Sequence, residues 1–179
     1  MNDPALLDLA RDIDARCRLH GQFTLRSGAT STEYFDKYLF EADPPLLFRV
    51  AEQMAALLPT DTDVLGGLEL GGVPLATVLS QITGLPAVFV RKQAKTYGTC
   101  RLAEGGEVAG ARVTLIEDVV TTGGAVRAAA TELRTRGAVI DTVVCAIDRS
   151  APGELPLASA AVVVRAVLTK FLLDQMSGH

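Results

Sequence analysis

The stretch RVTLIEDVVTTGGAV, residues 112–126, decides how this chain is read. Val113, Leu115 and Ile116 belong to an apolar, β-prone run, and the spacing predicts a buried strand over ARVTLIE. GAVRAAATELRTRG, residues 124–137, has helical spacing and is closed by Gly137. Glu117 and Asp118 are therefore expected at a strand exit, with Thr121, Thr122, Gly123 and Gly124 leading into a helix. In an open α/β sheet, ligands bind beyond the carboxyl ends of the strands. Glycines and small hydroxyl residues let backbone N–H groups converge on an anion, and the helix N-terminus adds partial positive charge. TTGG thus reads as a phosphate cradle. Two carboxylates beside it make sense when the ligand also carries hydroxyls, because each can accept a hydrogen bond from a vicinal diol. A sugar phosphate satisfies both halves of the segment. A solvated acidic turn with a threonine N-cap is the structural alternative. GxxxxGK[ST] and GxGxxG are both absent, which argues against an ATPase loop or a dinucleotide fingerprint.

Outward from this segment, apolar strands alternate with helices. DVLGG, LPAVFVR, VIDTVVCAID and AAVVVRAVLT read as strands, GVPLATVLSQITG as a helix closed by Gly84, and the chain end as a short helix. Strands that are nearly all apolar, separated by helices, indicate a parallel sheet covered on both faces. Before it, residues 4–20 have helical spacing with a start at Asp3-Pro4. QFTLRSGATSTEYFDKYLF reads as a small hairpin or irregular cap, and PPLLFRVAEQMAALL as a helix with Leu47, Val50, Met54 and Leu57 on one stripe. Residues 92–110 are polar and lack a clear period; a loop of that length in a compact domain is usually functional or disordered.

The 179 residues fit one domain, 1–179, and 49% of them are apolar, too many for a disordered chain. Aromatics are few and Trp is absent, so the core is expected to be mostly Val, Leu, Ile and Ala. A net charge of −4 does not favour nucleic acid, and an anionic ligand needs a local basic cluster. Cys17, Cys100 and Cys145 are scattered and odd in number, which fits a reduced cytoplasmic setting rather than a disulfide framework or a zinc site. The first residues lack a signal-peptide pattern and no apolar run approaches membrane-spanning length.

VTLIEDVVTTGGA resembles the phosphoribosyl pyrophosphate (PRPP) signature of the type I phosphoribosyltransferases. FTLRSGATSTEYFD, residues 23–36, resembles the N-terminal hood of the orotate phosphoribosyltransferases, and VRKQAKTYGTCRLAEG, residues 90–105, their catalytic loop. With GGLELGGVPLA, the resemblance runs from about residue 20 to 150. It implies a type I phosphoribosyltransferase fold: α/β, with a mostly parallel central sheet flanked by helices, a small hood at about 20–40 and a mobile loop at about 92–110.

The resemblance also implies roles. PRPP falls to Arg26, Gly71, Gly72, Arg91, Lys92, Lys95, Tyr97 and the run Glu117, Asp118, Val119, Val120, Thr121, Thr122, Gly123, Gly124 and Ala125. Orotate falls to Tyr34, Phe35, Thr121 and Arg149, and the catalytic groups are Lys95, Asp118 and Arg91. The residues agree with this in one respect: Arg91, Lys92, Lys95 and Arg101 form a positive stretch without an acid, as two anionic substrates require. A solvated surface loop is the plain alternative, as simple tight βα packing is for the glycines and pairing with Asp148 is for Arg149. Three positions depart from the family's habit. Tyr97 stands where His is common, Arg26 where Lys is, and Ala125 where Ser or Thr is. His20 and His179 are the only histidines, and neither is expected to act.

The implied reaction joins orotate N1 to C1 of PRPP and releases pyrophosphate. Mg²⁺ is expected as the cofactor, carried by PRPP with no direct protein ligand. The partners implied are PRPP, orotate and a second copy whose loop is shared, with no nucleic acid and no membrane. An adenine-type purine phosphoribosyltransferase and a non-catalytic PRPP-sensing regulator are the rival readings.

Overall fold

The computed structural model describes residues 3–24, 28–92 and 102–176. Helix α1 (Pro4–Cys17) starts where Asp3 Oδ1 accepts a hydrogen bond from Ala5 N at 3.0 Å, with Pro4 in the first turn. It stops earlier than its periodicity predicts, because Arg18 leaves the helix to pair with Phe35. The hairpin β1 (Arg18–Thr24) and β2 (Thr30–Phe35) forms the expected hood, with the Phe23 and Tyr34 rings 5.5 Å apart. One helical turn, α2 (Tyr38–Glu41), follows where the sequence suggested only cap structure. Helix α3 (Pro44–Ala55) is capped by Asp43 and buries Val50 and Met54 of the predicted stripe; Leu46 is buried rather than Leu47, which is only partly so, and Leu57 lies beyond the helix end.

The rest is a six-stranded sheet in the order β5-β4-β3-β6-β7-β8. Its members are β3 (Val64–Leu68), β4 (Ala87–Val90), β5 (Ala103–Glu104), β6 (Val113–Val120), β7 (Thr142–Asp148) and β8 (Val163–Thr169). Every pairing is parallel except β4 with β5. Helices α4 (Gly72–Thr83) and α5 (Gly124–Thr135) make the crossovers, and α6 (Lys170–Met176) closes the described chain. Strand alternation splits the apolar residues between two cores. Ile116, Val144 and Ala146 face α1, α3 and α4; Leu115, Val143 and Cys145 face Val126, Ala130 and Leu133 of α5. Among the described residues, no helix is long and apolar enough to cross a membrane.

Two expectations change. The stretch 102–110 is not irregular throughout. Leu102, Ala103 and Val108 are buried, and β5 pairs with β4 because these few apolar side chains find a place on the sheet edge. Residues 93–101 lie outside the described residues. Second, Glu117 and Asp118 are not beyond the strand. The ladder with β7 continues through Val119 and Val120, so both acids lie within β6 and are buried.

The chain leaves β3 toward β4 and leaves β6 toward β7, in opposite directions, although β3 and β6 are neighbours. Their carboxyl ends thus flank a topological switch point, where a crevice opens in such sheets. The segments at that crevice are 69–71 and 121–123.

Candidate active site

Thr121 and Thr122 are exposed at the end of β6, and Gly123 turns the chain into α5 with φ +70°. A side chain is strained at that φ, and a Cβ there would also stand 2.4 Å from Leu157 Cδ2. Arg127 secures the turn, its Nη1 donating to the carbonyls of Thr122 at 2.7 Å and Pro156 at 2.6 Å. The turn is therefore fixed while the hydroxyls and the N-terminal amides of α5 remain free to meet an anion.

Across the crevice, the peptide between Glu69 and Leu70 is cis, and α4 begins at Gly72. Gly71 shows why this loop is glycine-rich. A Cβ at Gly71 would lie 1.7 Å from Asp118 Oδ2 and 2.7 Å from Glu41 Oε1. The loop backbone is thus pressed against a buried carboxylate group.

That group is larger than the pair seen in the sequence. Asp118, 1% exposed, forms an ion pair through Oδ2 with Lys37 Nζ. Its Oδ1 accepts from Val119 N at 2.5 Å, and Glu117 Oε1 accepts from Asp118 N at 3.1 Å. Burial, followed by the neighbouring Asp118, pushes the Glu117 carboxyl up to about 9 and the Glu41 carboxyl up to about 8. Burial opposes ionisation of Asp118 too, but the hydrogen bonds from Glu117 and Lys37 prevail and hold it below the usual carboxylate range. Burial also works against the Lys37 charge, and Asp118 outweighs it, so its ammonium is raised. At neutral pH the cluster holds one carboxylate, one ammonium and two protonated carboxyls.

Lys37 and Glu41 were not among the sequence candidates. They stand four residues apart at the ends of α2, the spacing that puts side chains on one face of a helical turn. The signal available was a cation and an acid at that spacing in the otherwise aromatic and apolar YLF. Nothing local shows that they face β6.

Of the predicted orotate residues, Tyr34, Phe35 and Arg149 line one cavity of about 380 Å³ between the hood and the end of the sheet. That volume suits a small ligand. Arg149 does not spend its charge on Asp148, whose Oδ1 accepts instead from Ser150 N at 2.9 Å and Ser150 Oγ at 2.7 Å. Thr121 is not part of that lining. Arg91, Lys92 and Ala125 border a second, mostly apolar cavity of about 580 Å³ beside Glu69. Arg26, Lys95 and Tyr97 lie outside the described residues. His20 is exposed on β1, 3.5 Å from a Glu33 oxygen.

Comparisons with known proteins identify the family. The family described as phosphoribosyl transferase domain matches residues 41–171. An orotate phosphoribosyltransferase of a Nocardioides species is 70% identical over 93% of each chain. One from Methanocella arvoryzae is 43% identical over 83% of this chain and 85% of its own. The crystal structure of the Mycobacterium tuberculosis H37Rv orotate phosphoribosyltransferase in complex with PRPP superposes with a TM-score of 0.80. It is 28% identical, covering 96% of this chain and 99% of that one. A crevice at the switch point, a glycine turn at the head of α5 and these relatives lead to one conclusion: the chain belongs to the phosphoribosyl transferase domain family and, within it, to the orotate phosphoribosyltransferases.

Proposed function

We propose that this enzyme transfers the 5-phosphoribosyl group of PRPP to N1 of orotate, forming orotidine 5′-monophosphate and pyrophosphate in pyrimidine biosynthesis. The observation that carries it is the pairing of two subsites: the turn 121–124 at the switch point, and the cavity of Tyr34, Phe35 and Arg149 beside it. The identity of 70% to a named orotate phosphoribosyltransferase supports the same choice of base.

In this reading the 5-phosphate rests on the amides and hydroxyls of Thr121, Thr122, Gly123 and Gly124, at the positive end of α5. Glu117 and Asp118 face the ribose hydroxyls, with Val119, Val120 and Ala125 supplying backbone. Arg149 takes the orotate carboxylate; a guanidinium binds that planar group through two parallel N–H bonds. Gly71 and Gly72 bring backbone close to the pyrophosphate. C1 becomes cationic as the bond to pyrophosphate lengthens, so the site's work is to stabilise the leaving anion and exclude water. No protein nucleophile is needed.

Mg²⁺, when bound with PRPP, would offset the charge of the leaving group, with no protein side chain needed to hold it. The donor set fits that role, since the Asp118 carboxylate is taken by Lys37 in the free site and by the ribose hydroxyls in the bound one, and burial pushes the neighbouring Glu117 and Glu41 carboxyls toward their protonated forms. Arg91, Lys92 and Lys95 add positive charge, and the loop carrying Lys95 serves the site of a second copy in a homodimer. Buried free thiols at Cys17 and Cys145 accord with a cytoplasmic setting.

The test is loss of orotate absorbance with PRPP and Mg²⁺, with adenine and hypoxanthine in parallel. Turnover of orotate alone supports the reading; turnover of a purine, or of neither base type, overturns it.

A further inference from the structure

The loop that faces the pyrophosphate in this reading, Glu69–Gly72, has one acid and no cation. An anion bound there needs positive charge from elsewhere. The Lys37 ammonium touches Asp118 Oδ2, the same oxygen against which Gly71 packs. It therefore sits at the seam between the pyrophosphate loop and the ribose strand. Its side chain is 33% exposed while Asp118 is 1% exposed, so Lys37 is the group between that carboxylate and solvent.

From this geometry we propose that Lys37 is a substrate-binding cation of the phosphoribosyl transfer, held on Asp118 when the site is empty and transferred to the pyrophosphate of PRPP when it binds. The inference rests on the reading of the site given above. Two requirements favour an exchange over a fixed ion pair. An ammonium at a half-buried position needs a counter-charge at all times, and Asp118 supplies one in the free site. The ribose hydroxyls, for their part, reach Asp118 Oδ2 only after the ammonium leaves it. PRPP meets both requirements at once, offering hydroxyls to the carboxylate and a pyrophosphate to the cation. Glu41 allows the exchange without a charge imbalance: its carboxyl neighbours the Asp118 carboxylate beside Gly71, and burial favours its protonated form, which keeps a second negative charge out of the cluster. The anchoring of Lys37 at the start of α2, next to the hood, gives the ammonium a short path between the two partners. It packs on the Tyr38 ring at 5.3 Å, a surface over which a cation slides without losing its attraction.

The test uses the full-length enzyme with Lys37→Gln and Lys37→Arg, and calorimetric titration with Mg²⁺-pyrophosphate in the absence of orotate. Lys37→Gln retains an N–H for Asp118 but no charge. Its expected results are at least tenfold weaker pyrophosphate binding, a KM for PRPP raised at least tenfold, and a KM for orotate within twofold of the parent. Lys37→Arg should recover part of the affinity. If Lys37→Gln binds pyrophosphate and PRPP like the parent, Lys37 is only the counter-ion of Asp118 and the proposal fails. Should Lys37→Gln fold poorly, Lys37→Gln with Asp118→Asn removes the unpaired carboxylate. That double variant should fold and bind pyrophosphate at least tenfold more weakly than Asp118→Asn alone; equal binding overturns the proposal. A parent enzyme that binds pyrophosphate but does not consume orotate overturns the orotate reading instead.

Discussion

The guanidinium carbon of Arg149, at the end of β7, stands 5.7 Å from the centre of the Phe35 ring in the hood. This contact joins two parts of the chain that share no secondary structure, and it sets the guanidinium on a wall of the cavity assigned to orotate. Arg149→Ala should raise the KM for orotate by about ten- to a hundredfold, the equivalent of a lost charge-assisted pair of about 1.5–3 kcal/mol. The KM for PRPP should change far less. Steady-state kinetics with each substrate varied check this; equal changes in both with a lower Tm would make Arg149 a structural residue.

Gly71 offers a steric test. A methyl group there would overlap Asp118 Oδ2, so Gly71→Ala must push the loop or the carboxylate aside. Overpacking of this kind costs about 1–3 kcal/mol in stability. The expected outcome is a lower Tm together with a loss of PRPP binding, measured by thermal melting with and without PRPP. A variant that melts normally and binds PRPP normally would show that the loop has room to yield.

Stability should fall as pH rises. Glu41 and Glu117 have folded-state values of about 8 and about 9, both above the ordinary 4.5. Below about pH 4.5 each carboxyl is protonated in both states, and its contribution is fully present. Between there and pH 8–9 the unfolded chain gives up protons that the folded chain keeps, so the contribution is progressively lost. Asp118, held low, behaves oppositely and loses its contribution only in acid. The other charges facing this cluster are Lys37 and Asp36. Tm should decline from pH 6 to pH 9, and Glu41→Gln should make that decline shallower. A parallel slope in the variant would remove Glu41 as a source.

Whether the loop is shared between subunits can be tested by complementation. Lys95→Ala should lose activity mainly in kcat, because its interaction strengthens as the leaving group gains charge. Mixed with Asp118→Asn, a dimer can form in which one site has an intact acidic strand and an intact loop, so part of the activity should return. If subunits exchange, as shown by mass-tagged chains, and no activity returns, each loop serves its own chain.

The sequence by itself determined the architecture and half of the site. Apolar strands separated by amphipathic helices left a covered parallel sheet as the outcome, since such strands must be buried on both faces. TTGG before a helix placed the glycine turn at the head of α5, because the conformation of Gly123 is a local property. Strand boundaries were less legible: whether Glu117 and Asp118 follow β6 or belong to it depends on how far β7 continues alongside. The tertiary structure alone decided the state of those acids. Lys37, Glu41 and Gly71 converge on Asp118 from α2 and the head of α4, and burial then fixes which carboxyls keep their protons. Electrostatics at such a point follow from distance and desolvation in three dimensions. Neither quantity is a function of spacing along the chain.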